Sequence, residues 1–269
     1  MQRIWPIALR IQILTTSIIL SLVVVWRLDS FSQLLGPTML ALGLWVIFGA
    51  AQLSRGAKSA GEGSLESWTI SPNSGFWVVP AAAAFAGPAG VSIAVLANVV
   101  STIQVSVWVY FLRRDAPTPQ RRSTSWVDQS PILASIAGFL IHLVAKAPAS
   151  TASVLTIAGP LLAFSGAALF AGSALHPHNR GEANDARAAR RWMWLSAIRV
   201  AYYLLVFALA SRKDLEIVAV LTGFSAPSFM PVQLSVLYGY RNAVVMCAVR
   251  WGWIFVPVGL GIAAALRYG

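Results

Sequence analysis

Two stretches decide how this chain folds: Ser71-Pro72-Asn73-Ser74-Gly75-Phe76-Trp77-Val78-Val79-Pro80 and Ser225-Ala226-Pro227-Ser228-Phe229-Met230-Pro231. Each places two prolines, with small or polar neighbours, inside an apolar run long enough to be a membrane helix. Proline removes a backbone N–H and clashes with the preceding turn. The carbonyls it frees cannot face lipid, so such a break survives only where protein or a wet cavity surrounds it. The surroundings match. Pro80 is followed by Gly87 seven residues on, Pro231 by Gly239 eight residues on, and a long apolar span comes after each. A lone kink reads equally well as a structural bend. A matched pair in oppositely running segments predicts the discontinuous helices of an inverted repeat, which mark the binding site in secondary transporters.

The composition supports a membrane setting. Of 269 residues, 57% are hydrophobic and 11% charged, against roughly 25% charged in soluble domains. The mean hydropathy is +0.69. A soluble enzyme, a disordered chain and a coiled coil are excluded on these grounds. The charge is lopsided, with 20 Lys and Arg against 9 Asp and Glu, net +11. Without a soluble scaffold this is not a nucleic-acid footprint; it is what the cytoplasmic loops of a polytopic protein collect. Cys247 is the single cysteine, so neither a disulfide framework nor a thiolate metal site is expected.

A span of about 20 apolar residues crosses the hydrocarbon core. Nine such windows are read: 5–26, 32–53, 67–86, 89–112, 131–147, 153–175, 191–210, 215–237 and 241–266. The first is too long, and lacks the cleavage site, for a signal peptide. With loops on alternating sides, thirteen of the twenty basic residues fall on one face, five on the other, and Arg199 and Arg250 within spans. The positive-inside rule then predicts a multi-pass protein of the inner or plasma membrane, N-terminus cytoplasmic and C-terminus outside. The polar stretches 113–130 and 176–190 become cytoplasmic loops. His176 and His178 in the latter read as exposed loop residues rather than metal ligands.

A half-helix N-terminus offers free N–H groups and a positive dipole end to an anion. Asn73, Ser74, Ser225 and Ser228 stand at the breaks, where they either bind substrate or cap freed backbone groups. Span four presents a polar face of Asn98, Ser101, Thr102, Gln104 and Ser106. Asn98 is its cavity candidate, and Gln233, just past the second break, is a similar one. Arg199 and Arg250, about 12 Å into their spans, either attract an anionic substrate or snorkel and cap carbonyls. His142 reads as a proton carrier or, more simply, a hydrogen-bonded structural residue. All nine acidic residues fall in loops or at span ends, so no carboxylate-based Na⁺ or H⁺ site is expected at the midplane. No metal site, cofactor motif or nucleophile–base constellation occurs, and the chain is not read as an enzyme.

The run from Pro72-Asn73 through Pro80 to Gly87 resembles the first crossing helix of the auxin efflux carrier family, which includes plant auxin exporters and bacterial malonate or malate permeases. The stretch from Ala226-Pro227 to Gly239-Tyr240 resembles the second crossing helix. Ser130-Pro131-Ile132-Leu133 resembles the opening of the family's second half, and Arg199 sits where the family often carries an arginine. The resemblance implies a 5+5 inverted repeat, elevator-like alternating access, and organic anions bound where the broken helices cross. Asn73 and Pro80 match the first crossing; Pro227 and Pro231 match the second. The chain departs from the pattern in three places. The family's first helix has no counterpart. Val79 lacks the glycine that usually precedes this position. Ser228 stands where many bacterial members place an asparagine nearby.

The expected architecture is therefore all-α and polytopic, with four spans in a first repeat (1–112), a cytoplasmic loop (113–130) and five spans in a second repeat (131–269). The expected function is a secondary permease exporting or exchanging a small organic anion such as a carboxylate. Its partners would be that anion, the lipid bilayer and, as an open arrangement, a second copy of the chain. Two alternatives share the fold: a transport-inactive sensor or subunit, and a Na⁺-coupled uptake carrier like the bile acid symporters.

Overall fold

The computed structural model of the chain describes residues 15–16, 18–55, 60–117, 130–158, 160–161, 186–228, 231, 240 and 243–269. Among these residues helix is the only regular structure, apart from one antiparallel bridge between Pro72 and Pro227. We number the helices α1 (18–26), α2 (Leu35–Arg55), α3 (Ala60–Ile70), α4 (Val79–Arg114) and α5 (Ser130–Val144). Then follow α6 (151–158), α7 (Ala186–Leu209), α8 (Lys213–Gly223), α9 (Ala243–Trp251) and α10 (Val256–Tyr268).

Four stretches are long and apolar enough to cross a membrane: Ser32–Ser54, Val79–Arg114, Ala186–Leu209 and Ala243–Tyr268. Their outer faces agree with that reading. Leu42, Trp45, Leu204, Leu205 and Leu209 stand exposed, as do Leu133, Ile136, Leu140 and Leu143 along one side of α5. Apolar area this contiguous suits lipid rather than water. The chain is an all-α protein of the membrane class.

The structure interrupts the third expected span at the first proline stretch and bends the chain at its end. The interruption falls at 71–73, where α3 stops, and the helix restarts as a π-turn at Ser74–Val78 that runs into α4 with Pro80 in its first turn. Residues 79–86 are followed by the non-helical Gly87, at the border expected between the third and fourth spans. The junction is a kink at Gly87, whose backbone sits at φ 63°, ψ −156°. Only glycine adopts that region without strain. The following Pro88 fits because the kink has already released the N–H it lacks.

α4 is the central helix, packing against α2, α3 and α8. Val91, Ala94 and Val95 of α4 share a core with Leu40, Tyr203, Val218 and Leu221. Two tyrosines of α7 lock it to α2. Tyr202 donates to the Met39 carbonyl at 2.6 Å and Tyr203 to the Leu40 carbonyl at 3.0 Å. Gly43 makes room for them, since a Cβ there would lie 2.7 Å from the Tyr203 ring. Between α1 and α5 the contact is tighter still: a Cβ on Gly138 would meet the Leu22 carbonyl oxygen. His142 Nδ1 contacts the Trp26 carbonyl at 3.2 Å, and Trp26 Nε1 donates to the Ala145 carbonyl at 2.8 Å. A carbonyl only accepts, so His142 carries its proton on Nδ1 and serves here as an interhelical bond.

The acidic residues need a correction. Glu62 and Glu66 lie within α3, not in a loop before it, and Glu66 is fully buried. Arg191 of α7 donates to Glu66 Oε2 at 2.7 Å, to Ser54 Oγ at 2.8 Å and to the Ala51 carbonyl at 2.9 Å. This one guanidinium ties α2, α3 and α7. The helix can start early because its polar residues are satisfied internally. Ser64, Ser67 and Thr69 each donate to the carbonyl four residues back. Asp115, at the end of α4, accepts from the Gly61 N–H at 2.9 Å and so caps the start of α3. The neighbouring Arg114 first, and that N–H after it, hold its carboxyl below the usual carboxylate range.

Two outcomes follow for stability. Gly87→Ala is expected to cost roughly 1–3 kcal/mol, a purely conformational penalty, because nothing lies within 4 Å of the added Cβ; a denaturant titration in micelles measures it. Glu66→Ala, which strands Arg191 in a mostly buried place, is expected to cost about 3 kcal/mol. Restoring a partner with Glu66→Asp should recover part of that loss in the same titration.

Candidate functional site

Both proline breaks end a helix for the expected reason, and each leaves carbonyls to satisfy. α3 stops at Ile70, two residues before Pro72, as the restriction on the residue ahead of proline requires. α8 stops at Gly223, and the chain then runs irregularly through Ser225-Ala226-Pro227. The two irregular segments meet. Asn73 N–H donates to the Ala226 carbonyl at 3.3 Å, and Ser228 N–H donates to the Thr69 carbonyl at 3.1 Å. Asn73 Nδ2 reaches the Pro227 carbonyl at 3.5 Å. The bridge is antiparallel, as segments running in opposite directions through a membrane would make it.

Asn73 organises the restart. Its own carbonyl accepts from Trp77 N at 2.9 Å and from Val78 N at 3.1 Å. It is therefore the residue on which the π-turn is hung, while its side chain points to the opposite break. It is buried, as are Ser225 and Pro227, while Ser74, Pro80 and Ser228 are half-buried. Ser225 Oγ is buried without a hydrogen-bond partner among the described residues. Trp77 and Trp253 meet edge to face at 6.3 Å beside the crossing.

Arg199 takes the second of its two expected roles. Its Nη1 donates to the Ile70 carbonyl at 2.7 Å, so it caps the last turn of α3. A cation at a helix C-terminus also opposes the negative end of the helix dipole. The side chain is buried, with its guanidinium 5.7 Å over the Phe255 ring. Arg250 sits elsewhere. It is exposed at the end of α9, 5.1 Å over the Trp251 ring.

The remaining candidates are distributed as follows. Asn98 is exposed, on the flank of the α4 face that turns inward through Ala94, Ala97 and Ser101. Ser101 spends its hydroxyl on the Ala97 carbonyl at 2.6 Å. Gln104 is fully buried, and both its amide atoms lack a partner among the described residues. Pro231 is buried. Gln233, His176 and His178 lie outside the described residues. The cavity beside the crossing, bounded by Pro72, Ser74, Ser101, Tyr203 and Thr222, measures about 10 Å³, room for one water.

Sequence reasoning missed the Glu66–Arg191 pair. The available signal was the shared four-residue spacing of Glu62/Glu66 and Arg187/Arg191, which puts each pair on one helical face. A comparison with protein-family models, with curated proteins and with solved structures found no match in any of the three.

Arg199→Met is expected to leave the Ile70 carbonyl unpaired and to lower stability by roughly 1.5–3 kcal/mol, the range for a charge-assisted bond. Unfolding midpoints of wild type, Arg199→Met and Arg199→Lys in micelles check this, with the lysine variant falling between the other two.

Proposed function

We propose that this chain is a secondary carrier of the auxin efflux carrier type, which exports or exchanges a small organic anion at the crossing of its two broken helices. The observation that carries the reading is the antiparallel meeting of Pro72-Asn73 with Ala226-Pro227-Ser228. The two proline stretches lie about 150 residues apart in sequence, yet they meet through backbone hydrogen bonds. Paired breaks that supply each other's hydrogen bonds are the arrangement from which transporters build a midplane site.

In this reading the nine-span topology, with four spans before the loop and five after it, forms two inverted repeats, and the N-terminus is cytoplasmic. Asn73 and Ser74, at the restart of the first broken helix, and Ser225 and Ser228 of the second contact the substrate. Arg199 supplies positive potential from behind α3 without touching the anion. The crossing is too tight for a carboxylate as it stands, so one helix group must slide relative to the other for substrate to enter. That requirement fits alternating access.

A second reading draws on the same tightness. A chain whose crossing never opens is a sensor or subunit of the same fold. Sodium-coupled uptake is the third reading, with backbone carbonyls and Asn73 in place of intramembrane carboxylates.

Proteoliposomes loaded with a panel of labelled mono- and dicarboxylates separate these readings. A carrier exchanges at least one of them, and Asn73→Ala slows that exchange about tenfold or more, equivalent to losing about 1.4 kcal/mol of binding. A chain that moves no carboxylate, or whose exchange ignores Asn73→Ala, is not this carrier. Dependence on a sodium gradient would select the third reading.

A further inference from the structure

A second cavity lies away from the proline crossing. It measures about 250 Å³ and opens where the end of α1, the kink of α4 and the turn before α8 come together. Its floor is apolar and buried, made by Val24, Ile93, Leu96 and Leu155. Its rim carries Arg27, Asp29, Gln33 and Arg212. None of the residues around the crossing cavity lines it.

The charges on the rim are not equivalent. Arg212 is ion-paired with Asp214. Asp29 stands exposed, with Oδ2 accepting from Gln33 Nε2 at 3.3 Å, so water screens it. Arg27 is half-buried, and its only polar partner among the described residues is the neutral Thr151 hydroxyl, at 2.8 Å. A guanidinium has five N–H donors, so most of them have no partner among the described residues, and Arg27 lines the cavity. The positive-φ kink at Gly87 shapes the opening, because it swings Pro88 and Ala89 onto the rim.

We propose that this cavity is a binding site for a small amphipathic anion, with a singly charged carboxylate- or phosphate-type head on Arg27 and an apolar body on the Val24–Leu155 floor. The volume is about 25 times that of the cavity beside the crossing, enough for a ring or short chain and one head group. One unspent cation beside a paired one favours a single negative charge, and Asp29 disfavours a second. The head can come from a free monocarboxylate or from an anionic lipid. The inference is independent of the transport reading, since it uses neither proline break.

The test uses the full chain in phosphatidylcholine nanodiscs, with labelled phenylacetate as the free probe and neutral phenylacetamide as competitor. Arg27→Gln should weaken phenylacetate binding at least tenfold. Ala89→Phe should abolish it by filling the rim, and keeps the test decisive if the arginine variant fails to fold. Phenylacetamide should compete poorly. A second arm compares phosphatidylglycerol retained by the purified chain with that retained by each variant. Loss of phenylacetate binding in the variants assigns a free ligand. Selective retention of phosphatidylglycerol by wild type alone assigns a lipid head. Phenylacetate binding and lipid retention that are the same in wild type and both variants overturn the site, as does equal competition by the amide.

Discussion

Backbone polar groups released inside an apolar interior have to find partners, and the rest of this structure is arranged around how two proline breaks do so. Each break frees groups that lipid cannot satisfy. They are satisfied largely by each other: the Asn73 N–H goes to the second break, and the Ser228 N–H returns to the last turn of α3. Neither break is self-sufficient. A net hydrogen bond is worth only about 1 kcal/mol, but leaving a buried one unmade costs more. The segments are therefore held together by the penalty for parting as much as by the contact itself.

α7 manages the electrostatics of the first broken helix from outside. Arg191 neutralises Glu66 within α3, and Arg199 caps its end at Ile70. Eight residues separate the two arginines, about 12 Å along a helix, so they lie near one side of α7 and act at two heights on α3. Both positive charges are thus committed to structure. The net charge of +11 still leaves a surplus of cations, and the half-buried Arg27 is one with no ion partner among the described residues.

Much of this was legible in the sequence, because proline acts locally. Pro72 and Pro227 announce breaks from their own chemistry, and the hydropathy of the surrounding runs declares a membrane setting. Arg199 was legible as an oddity, with capping among its two readings. What a sequence window could not show was compensation over long distance. Glu66 raises the polarity of its window and so pushed the expected start of the helix to residue 67. A partner 125 residues away, with the serine and threonine bonds inside the helix and the Asp115 cap, lets it begin at Ala60. Likewise Gly87 was read as a marker after the break, and its positive φ makes it the bend between residues 79–86 and 88–114. Asn98 shows a further limit: helical spacing puts it near the inward face, but neighbouring packing leaves it exposed.

The second break has its own seat. A Cβ on Gly252 would lie 3.0 Å from two carbons of the Pro227 ring, so the proline rests directly on the backbone that joins α9 to α10. Within α10, Gly259 receives Phe224, the residue that ends α8, at a similarly close approach. Two bare glycines, seven residues apart, therefore form a track on which the segment from Phe224 to Pro227 sits without side chains to cushion it. Close-packed contacts transmit displacement rather than absorb it. The irregular segment is thus seated on the C-terminal helices on one side and hydrogen-bonded to Asn73 on the other, so a displacement of either neighbour is felt by both.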